Sequence, residues 1–309
     1  MITTITFNPS IDRMYKVNSM NIGEVQRVVS ANATAGGKGI NVTKVCKILK
    51  EEPLAMGFLG GYNGEFIKEE LRKLDIKNKF TKIKQETRNC LNIITDDKVS
   101  TEFLEKGPII EIHDLEKFEN DIKEVIKDTK ILVASGSYCQ NIPLNYYEKI
   151  GNLCRENNVK FILDTSGEPL KVALKSKPYL IKPNIDEIKQ LLDIDVESMD
   201  EIVCAGKELI KMGAENVCIS LGKDGMIYLN ESEIYEVKVP KIEALNTVGS
   251  GDSTIAGFSV GILRGYEVEE LLKLSNACGI SNALNIETGF VNLEEVQKYK
   301  DLVKVTKLI

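Results

Sequence analysis

Histidine is almost missing from this chain: among 309 residues it occurs once, at His113, and tryptophan does not occur at all. His113 sits among Glu111, Asp114 and Glu116, a run that reads as the start of a surface helix. Histidine-based triads and histidine-rich metal sites therefore drop out, and acid–base work falls to carboxylates. Cysteine occurs seven times, an odd number with no Cys-x-x-Cys pair, which indicates neither a zinc site nor a disulfide framework. Free thiols in a reducing cytosol fit best, and the expected location is cytoplasmic. A basic excess is lacking too: 40 Lys and Arg stand against 46 Asp and Glu, a formal net charge of −6. Together with the low aromatic content, this argues against a nucleic-acid or anionic-membrane partner. Small anionic substrates stay open, because a pocket is set by local residues. No apolar run approaches the length of a membrane span. The first residues, Met1 to Phe7, alternate like a strand and lack the basic start of a signal peptide. There is no internal repeat, low-complexity tract or Pro-rich linker.

What the chain does have is a rhythm. Short β-branched runs (Ile131–Ala134, Phe161–Asp164, Leu180–Ile181, Val217–Ser220) alternate with helical segments: Pro143–Asn157, one through Ala173, Ile185–Leu192 and about Asp200–Met212. That pattern predicts an α/β fold with a mostly parallel sheet and helices on both faces. Ligands of such sheets bind at the carboxyl ends of strands, where Asp164, Asn184, Ser220 and Gly249 all fall. Residues 11–34 and 85–110 break the rhythm and read as extended strands without helices. The reading is one α/β domain over 1–309 with these two segments set on it.

Two glycine clusters carry the chemistry. In Asn246-Thr247-Val248-Gly249-Ser250-Gly251-Asp252-Ser253, glycines precede a small, apolar, helix-compatible run. Such a turn lets backbone N–H groups converge at a helix N-terminus and bind an anion, above all phosphate. A carboxylate at the lip of an anion hole is electrostatically costly, so Asp252 reads as the base that deprotonates an attacking hydroxyl. The alternative is an ordinary N-cap. The second cluster, Thr34-Ala35-Gly36-Gly37-Lys38-Gly39-Ile40-Asn41-Val42, brings a cation and an amide to another flexible turn. It is not a Walker A loop, since Ile40 stands where the hydroxyl should be; the alternative is a plain strand-to-helix turn. Two anion-suited turns suggest two phosphate-bearing ligands.

Both clusters resemble the signatures of the PfkB (ribokinase-like) sugar kinases. Further marks follow in the family's order: Asn8-Pro9-Ser10-Ile11-Asp12, Thr87-Arg88-Asn89-Cys90, Ser135-Gly136-Ser137, Lys182-Pro183-Asn184-Ile185-Asp186-Glu187 and Ser220-Leu221-Gly222-Lys223-Asp224-Gly225. The resemblance covers essentially the whole chain and is strongest to the hexose-phosphate branch. The run Thr101 to Pro108, with Thr87 to Cys90, tilts it towards tagatose 6-phosphate as acceptor. It implies ATP-dependent phosphorylation of a ketohexose phosphate, with tagatose 6-phosphate giving the 1,6-bisphosphate. Fructose 1-phosphate is the alternative acceptor, and a non-catalytic sugar-phosphate sensor the more distant reading.

The resemblance also implies roles. Asp252 is the base, and the N–H groups of Gly249, Ser250 and Gly251 hold the transferring phosphoryl. Asp12, Gly37 and Asn41 grip sugar hydroxyls. Lys38, Arg88 and Arg27 meet the sugar phosphate, with a solvated charge as the alternative for Arg27. Ser137 reaches the same phosphate or is a plain turn serine. Asn184 and Glu187 organise Mg²⁺ and phosphates largely through water, or form a helix cap; Asp164 is a further outer carboxylate near the metal. Ser220, Gly222, Gly225 and Thr247 run along the ATP phosphates and ribose, and Asn276 and Gly279 face adenine. Asn246, Val248, Asn282 and Asn285 stand where several relatives bind a monovalent cation, K⁺. The two inserted segments form a β lid over the sugar site that carries a homodimer contact. One departure, Gly136-Ser137-Tyr138-Cys139 where many relatives have Leu-Pro after the Gly-Ser turn, puts the Cys139 thiol near the sugar-phosphate pocket.

Overall fold

Period-two alternation with both sides apolar is what a strand covered on two faces requires, and the central strands here have it. The structure, a computed structural model, describes residues 1–97 and 99–309. Lys98, within the 85–110 segment, lies outside the described residues. The first half of the chain runs β1 (Ile2–Thr6), β2 (Ser10–Lys16), β3 (Ser30–Gly36), α1 (Lys38–Ile48), β4 (Leu54–Gly60), α2 (Gly61–Lys73), β5 (Lys77–Ile83), β6 (Arg88–Ile94), β7 (Ser100–Leu104), α3 (Ile112–Val125) and β8 (Ile131–Ser135). The second continues through α4 (Tyr146–Glu156), β9 (Lys160–Asp164), α5 (Gly167–Ala173), β10 (Leu180–Ile181), α6 (Ile185–Leu192), α7 (Met199–Lys211), β11 (Asn216–Ser220), β12 (Met226–Asn230) and β13 (Ile234–Lys238). It closes with α8 (Ser250–Leu263), α9 (Val268–Ala283), α10 (Leu293–Leu302) and β14 (Lys304–Lys307).

The main sheet has the order β14-β13-β12-β11-β10-β9-β8-β1-β4-β5. Every pairing from β11 to β5 is parallel. On β8, Leu132 and Ala134 enter one core with α3, α4, α5, α6 and α7, while Ile131 and Val133 enter the other with α1, α8, α9 and α10. Helices therefore cover both faces, as the rhythm predicts. Helix α4 starts at Tyr146 rather than at Pro143, because the Pro143 carbonyl accepts the Tyr146 N–H in a turn. The antiparallel edge of β12, β13 and β14 was not anticipated from the alternation. Between β11 and β12 there are too few residues for a crossover, so the chain turns back on itself. His113 is exposed beside Glu111 and Asp114 in the first turn of α3.

Strands from residues 11–34 and 85–110 build a separate four-stranded sheet, order β3-β2-β6-β7. Its register aligns Thr34, Asp12, Cys90 and Leu104 in one row, and Asn32, Met14, Asn92 and Glu102 in the next. All eight side chains line one cavity.

Candidate active site

In a parallel sheet the chain leaves β1 for β4 on one side and comes back to β8 on the other. The loops there part at the strands' carboxyl ends and open a crevice. A cavity of about 460 Å³ lies at that point, between the strand ends and the small sheet. Asp164 ends β9, Ser220 ends β11, and Asn184 follows β10; all three line it, with Lys38 and Asn41 of α1 and Lys182.

The start of α8 forms the opposite wall. Gly249 is its N-cap with φ 82° and ψ −3°, a left-handed conformation that glycine adopts without strain. A Cβ there would stand 2.7 Å from Thr288 Cγ2, so only glycine fits the close approach of the turn to the 286–289 loop. The Gly251 N–H has no backbone acceptor among the described residues, as expected in the first turn of a helix. Ser250 differs from expectation: its N–H donates to the Thr247 carbonyl at 3.2 Å and closes the turn, so it does not face the cavity as a free donor.

Asp252 is buried, and its Oδ2 accepts from Asn41 Nδ2 at 2.8 Å. Burial, reinforced by the nearby Asp164 charge, pushes its pKa up to about 6 against the opposing pull of Lys38, Asn41 and Lys182. Asp164 goes the other way. Burial alone would raise it, but Lys182 and Lys38 outweigh burial and hold it at about 2. Its Oδ1 lies 3.5 Å from Lys182 Nζ, its Oδ2 lies 3.6 Å from Lys38 Nζ, and Ser135 Oγ donates to Oδ2 at 3.0 Å. Asp164 in turn holds the Lys38 ammonium well above the ordinary lysine range. One carboxylate is thus locked as an anion that fixes two lysines, while its neighbour is poised to exchange a proton near neutral pH. Pairs whose environments push them apart in this way divide acid–base labour.

Towards the small sheet, Asp12 accepts from Ser10 Oγ at 2.6 Å, and burial raises its pKa. The Arg88 guanidinium donates to the carbonyls of Asn8 at 3.1 Å and Glu105 at 3.2 Å, and its buried Nε–H has no partner among the described residues. Arg88 lines the cavity, and a guanidinium held by two carbonyls is pre-oriented to meet an anion there through its remaining terminal N–H groups.

The cavity brings together Asp12, Gly37, Lys38, Asn41, Arg88, Asp164, Asn184, Glu187, Ser220, Asn246, Gly249, Gly251 and Asp252. Asn184 and Glu187 line it while forming a capping box on α6: Asn184 Oδ1 accepts from the Glu187 N–H, and Glu187 Oε2 from the Asn184 N–H. Several expected residues stay outside. Arg27 is exposed in the segment between β2 and β3. Ser137 is exposed and accepts from Asn8 Nδ2 at 3.3 Å. Thr247 and Gly222 are exposed beyond the lining. Gly225 serves the β-turn instead: with φ 98° its Cβ would meet the Val237 carbonyl oxygen at 1.9 Å. Asn276 and Gly279 belong to helix packing, where the Asn276 amide donates to Leu272 O at 2.8 Å and Gly279 leaves room for Thr254 Oγ1. Asn285 donates to Ser281 O and Glu295 Oε2, away from the cavity. Asn246 Oδ1 already accepts from the Val248 N–H at 3.0 Å, and its amide donates to Ile286 O and Thr288 Oγ1.

Lys182 was missed. The sequence shows a lysine before Pro-Asn at a strand end, but lysine is seldom buried, and nothing local reveals that this one is. Its Nζ would lie 3.2 Å from a Cβ on Gly251, so a second cation flanks the glycine turn. Ser135, which pins Asp164, was missed because its partner lies 29 positions away on the next strand.

Cys139 corrects another expectation. It is buried, its thiol points to Phe7 O at 2.9 Å, and burial pushes its pKa up to about 12. Such a thiol is inert. Cys90 is the thiol that lines the cavity, half-buried with its pKa raised by burial, and Cys204 is exposed on α7. Iodoacetamide is expected to label Cys204 first without loss of activity. Inhibition should follow the slower labelling of Cys90, with Cys139 unmodified in the folded chain. Peptide mapping during inactivation checks this, and inhibition that tracks Cys139 would overturn it.

The pfkB family carbohydrate kinase profile matches residues 5–294. Tagatose-6-phosphate kinase of Staphylococcus epidermidis is 41% identical over 312 residues, covering 100% of this chain and 99% of that protein. The crystal structure of a phosphofructokinase candidate from Staphylococcus aureus superposes with a TM-score of 0.85 at 33% identity, over 100% of this chain and 99% of that one. Phosphofructokinase-2 from Escherichia coli in complex with potassium superposes with a TM-score of 0.92 at 25% identity, over 97% and 98% of the two chains.

Proposed function

Because this chain belongs to the pfkB family of carbohydrate kinases, we propose that it transfers the γ-phosphoryl of ATP to the 1-hydroxyl of tagatose 6-phosphate, giving tagatose 1,6-bisphosphate. The observation that carries the chemistry is Asp252: a buried carboxylate at the mouth of a glycine-capped helix, facing the cavity, with a pKa of about 6. Phosphoryl transfer asks of a protein alignment, charge neutralisation and a group to receive the hydroxyl proton. Asp252 takes that proton as the hydroxyl attacks the γ-phosphorus. The bond from phosphorus to the bridging oxygen breaks, and ADP leaves with the electron pair. The Gly249–Gly251 turn takes up the charge that shifts onto the phosphoryl oxygens, together with Lys182 and Lys38. Lys38 shares Asp164 with Lys182 and is moved in this reading from the sugar phosphate to the transferring group.

Asp12 and Asn41 hold sugar hydroxyls in this reading, and Arg88 meets the 6-phosphate. The 41% identity to a tagatose-6-phosphate kinase over the whole chain supports this acceptor. Fructose phosphates are the second reading, supported by the 33% identical S. aureus structure.

Mg²⁺ fits the donor set. Among the described residues no cluster of three or more metal-ligating side chains exists, which suits an ion that keeps its waters and takes phosphate oxygens. Glu187, with Oε1 open beside its capping bond, and Asn184 would hold its hydration shell. Bound to ATP, Mg²⁺ offsets the phosphate charge. Asp164, engaged with Lys38, Lys182 and Ser135, serves in this reading to place the two lysines.

The small sheet acts as a lid in this reading. Ile22 and Val25, each 97% exposed in the segment between β2 and β3, support a homodimer contact there. Among the described residues no helix is long and apolar enough to cross a membrane.

A coupled ADP-release assay with ATP, Mg²⁺ and a panel of hexose phosphates tests the reading. Tagatose 6-phosphate is expected to exceed fructose 6-phosphate and fructose 1-phosphate in kcat/KM by about ten-fold or more, the scale of one or two pocket contacts. Equal turnover would make the substrate assignment too narrow, and preference for fructose 1-phosphate would favour the second reading. No turnover with any of them, despite sugar-phosphate binding, would leave a sensor.

A further inference from the structure

Asn282, in the last turn of α9, is completely buried and has every hydrogen-bonding position filled. Its Nδ2 donates to Val248 O at 2.9 Å and to Ser250 Oγ at 3.2 Å. Its Oδ1 accepts from Ser253 Oγ at 3.1 Å and from the Gly289 N–H at 3.0 Å. A primary amide offers two donors and two acceptor lone pairs, so one side chain joins three segments: the turn before Gly249, the first turn of α8, and the loop that closes over Gly249. Asp252 lies between two of the bonded residues, Ser250 and Ser253. On its other side only Asn41 bonds its carboxylate.

We infer that Asn282 is a positioning residue for phosphoryl transfer, holding the Gly249–Gly251 turn and the Asp252 carboxylate in register with the bound phosphoryl group. The inference rests on the kinase reading above. Without the amide, Val248 O and Gly289 N lose their shared anchor. The left-handed Gly249, where an added Cβ would stand 2.7 Å from Thr288 Cγ2 and 3.1 Å from Gly289 N, is then free to rotate. A misplacement of about 1 Å at a reacting centre lowers rate by about 10²-fold, whereas neither substrate is bound by Asn282 itself. An aspartate at this position keeps the acceptor bonds but sets a carboxylate oxygen against the Val248 carbonyl. It also adds a like charge near Asp252, which raises the pKa of the base.

The test is steady-state kinetics of Asn282→Ala and Asn282→Asp with ATP and tagatose 6-phosphate, alongside thermal melts and pH profiles. The expected result is kcat lower by about 10²-fold in both, with each KM within about three-fold of the parent chain. The acid limb of the kcat profile should move to higher pH only in Asn282→Asp. A normal kcat with a lowered melting temperature would make Asn282 purely structural and overturn the inference, as would KM rising in step with falling kcat. If both variants fail to fold, Ser253→Ala, which deletes one of the four bonds, should still lower kcat several-fold; an unchanged kcat there overturns it. Asp252→Asn separates the two claims. If it turns over like the parent chain, the kinase reading of the site fails. If it is inactive while Asn282→Asp is unimpaired, only the Asn282 inference fails.

Discussion

Asp252→Asn is expected to fold and bind ATP, yet turn over about 10²–10⁴-fold more slowly, the usual contribution of a positioned general base. Asparagine has the same shape and keeps an oxygen to accept from Asn41. What it lacks is a site for the hydroxyl proton. The parent chain should show an acid limb in kcat near pH 6, with activity falling about ten-fold per pH unit below it as Asp252 protonates. The variant should lose that limb. Its stability should move in the opposite direction. Because the folded pKa is about 6 and the ordinary value 3.8, the native state holds its proton more tightly than the unfolded chain. The protonated form therefore stabilises the fold below pH 3.8, and that contribution is lost as pH rises through 6. The difference amounts to at most about 3 kcal/mol above pH 6, which the neutral asparagine recovers. A higher melting temperature with lower activity at pH 7.5 is the joint signature. Turnover within a few-fold of the parent would remove Asp252 from the base role, and loss of folded protein would make it a structural residue of the first turn of α8, whose N-cap is Gly249.

Arg88→Ala is expected to raise the KM for the sugar phosphate by about 10²-fold, with the KM for ATP changed less than about three-fold. Charge-assisted bonds to a phosphate contribute about 1.5–3 kcal/mol each. The guanidinium is already held by Asn8 O and Glu105 O, and its terminal nitrogens keep further N–H groups for an anion. It pairs with Ser10 at the start of β6 and lines the cavity beside the small sheet, the side that the proposed reading gives to the sugar. Arg88→Lys should recover only part of the loss, since an ammonium cannot reproduce the planar fork. Equal increases in both KM values would assign Arg88 to the nucleotide and invert the division of the cavity.

Much of this molecule is decided by local sequence. Strands buried on two faces must be short and apolar throughout, and the helices between them must carry one apolar stripe; Ile131–Ala134 and Ile185–Leu192 show both constraints within single segments. The turn at Gly249 is equally local, because a left-handed residue before a helix calls for glycine. Asp252 stands out because a carboxylate beside an anion hole is costly unless it is used. The chain alone therefore determines the α/β sheet, the two glycine turns and the candidate base.

Tertiary structure decides what the charges around that base do. Asn41 reaches Asp252 across 211 positions, and a pKa of about 6 arises only once burial, Asp164 and two lysines converge on it. Lys182 and Asp164 look like ordinary strand-end residues until the sheet order sets them side by side; only then is Asp164 recognisable as an anchor for two lysines. Cys90, not Cys139, is the thiol at the cavity because register in the small sheet turns Cys90 towards it, while the loop after β8 folds Cys139 onto Phe7 O. Gly279 serves the contact of α9 with α8, while the Asn276 amide bonds within α9 and to Met226 of β12, a packing that period and composition do not specify. Hydrogen bonds, desolvation and charge coupling depend on distances between remote segments, and those distances exist only in the folded chain.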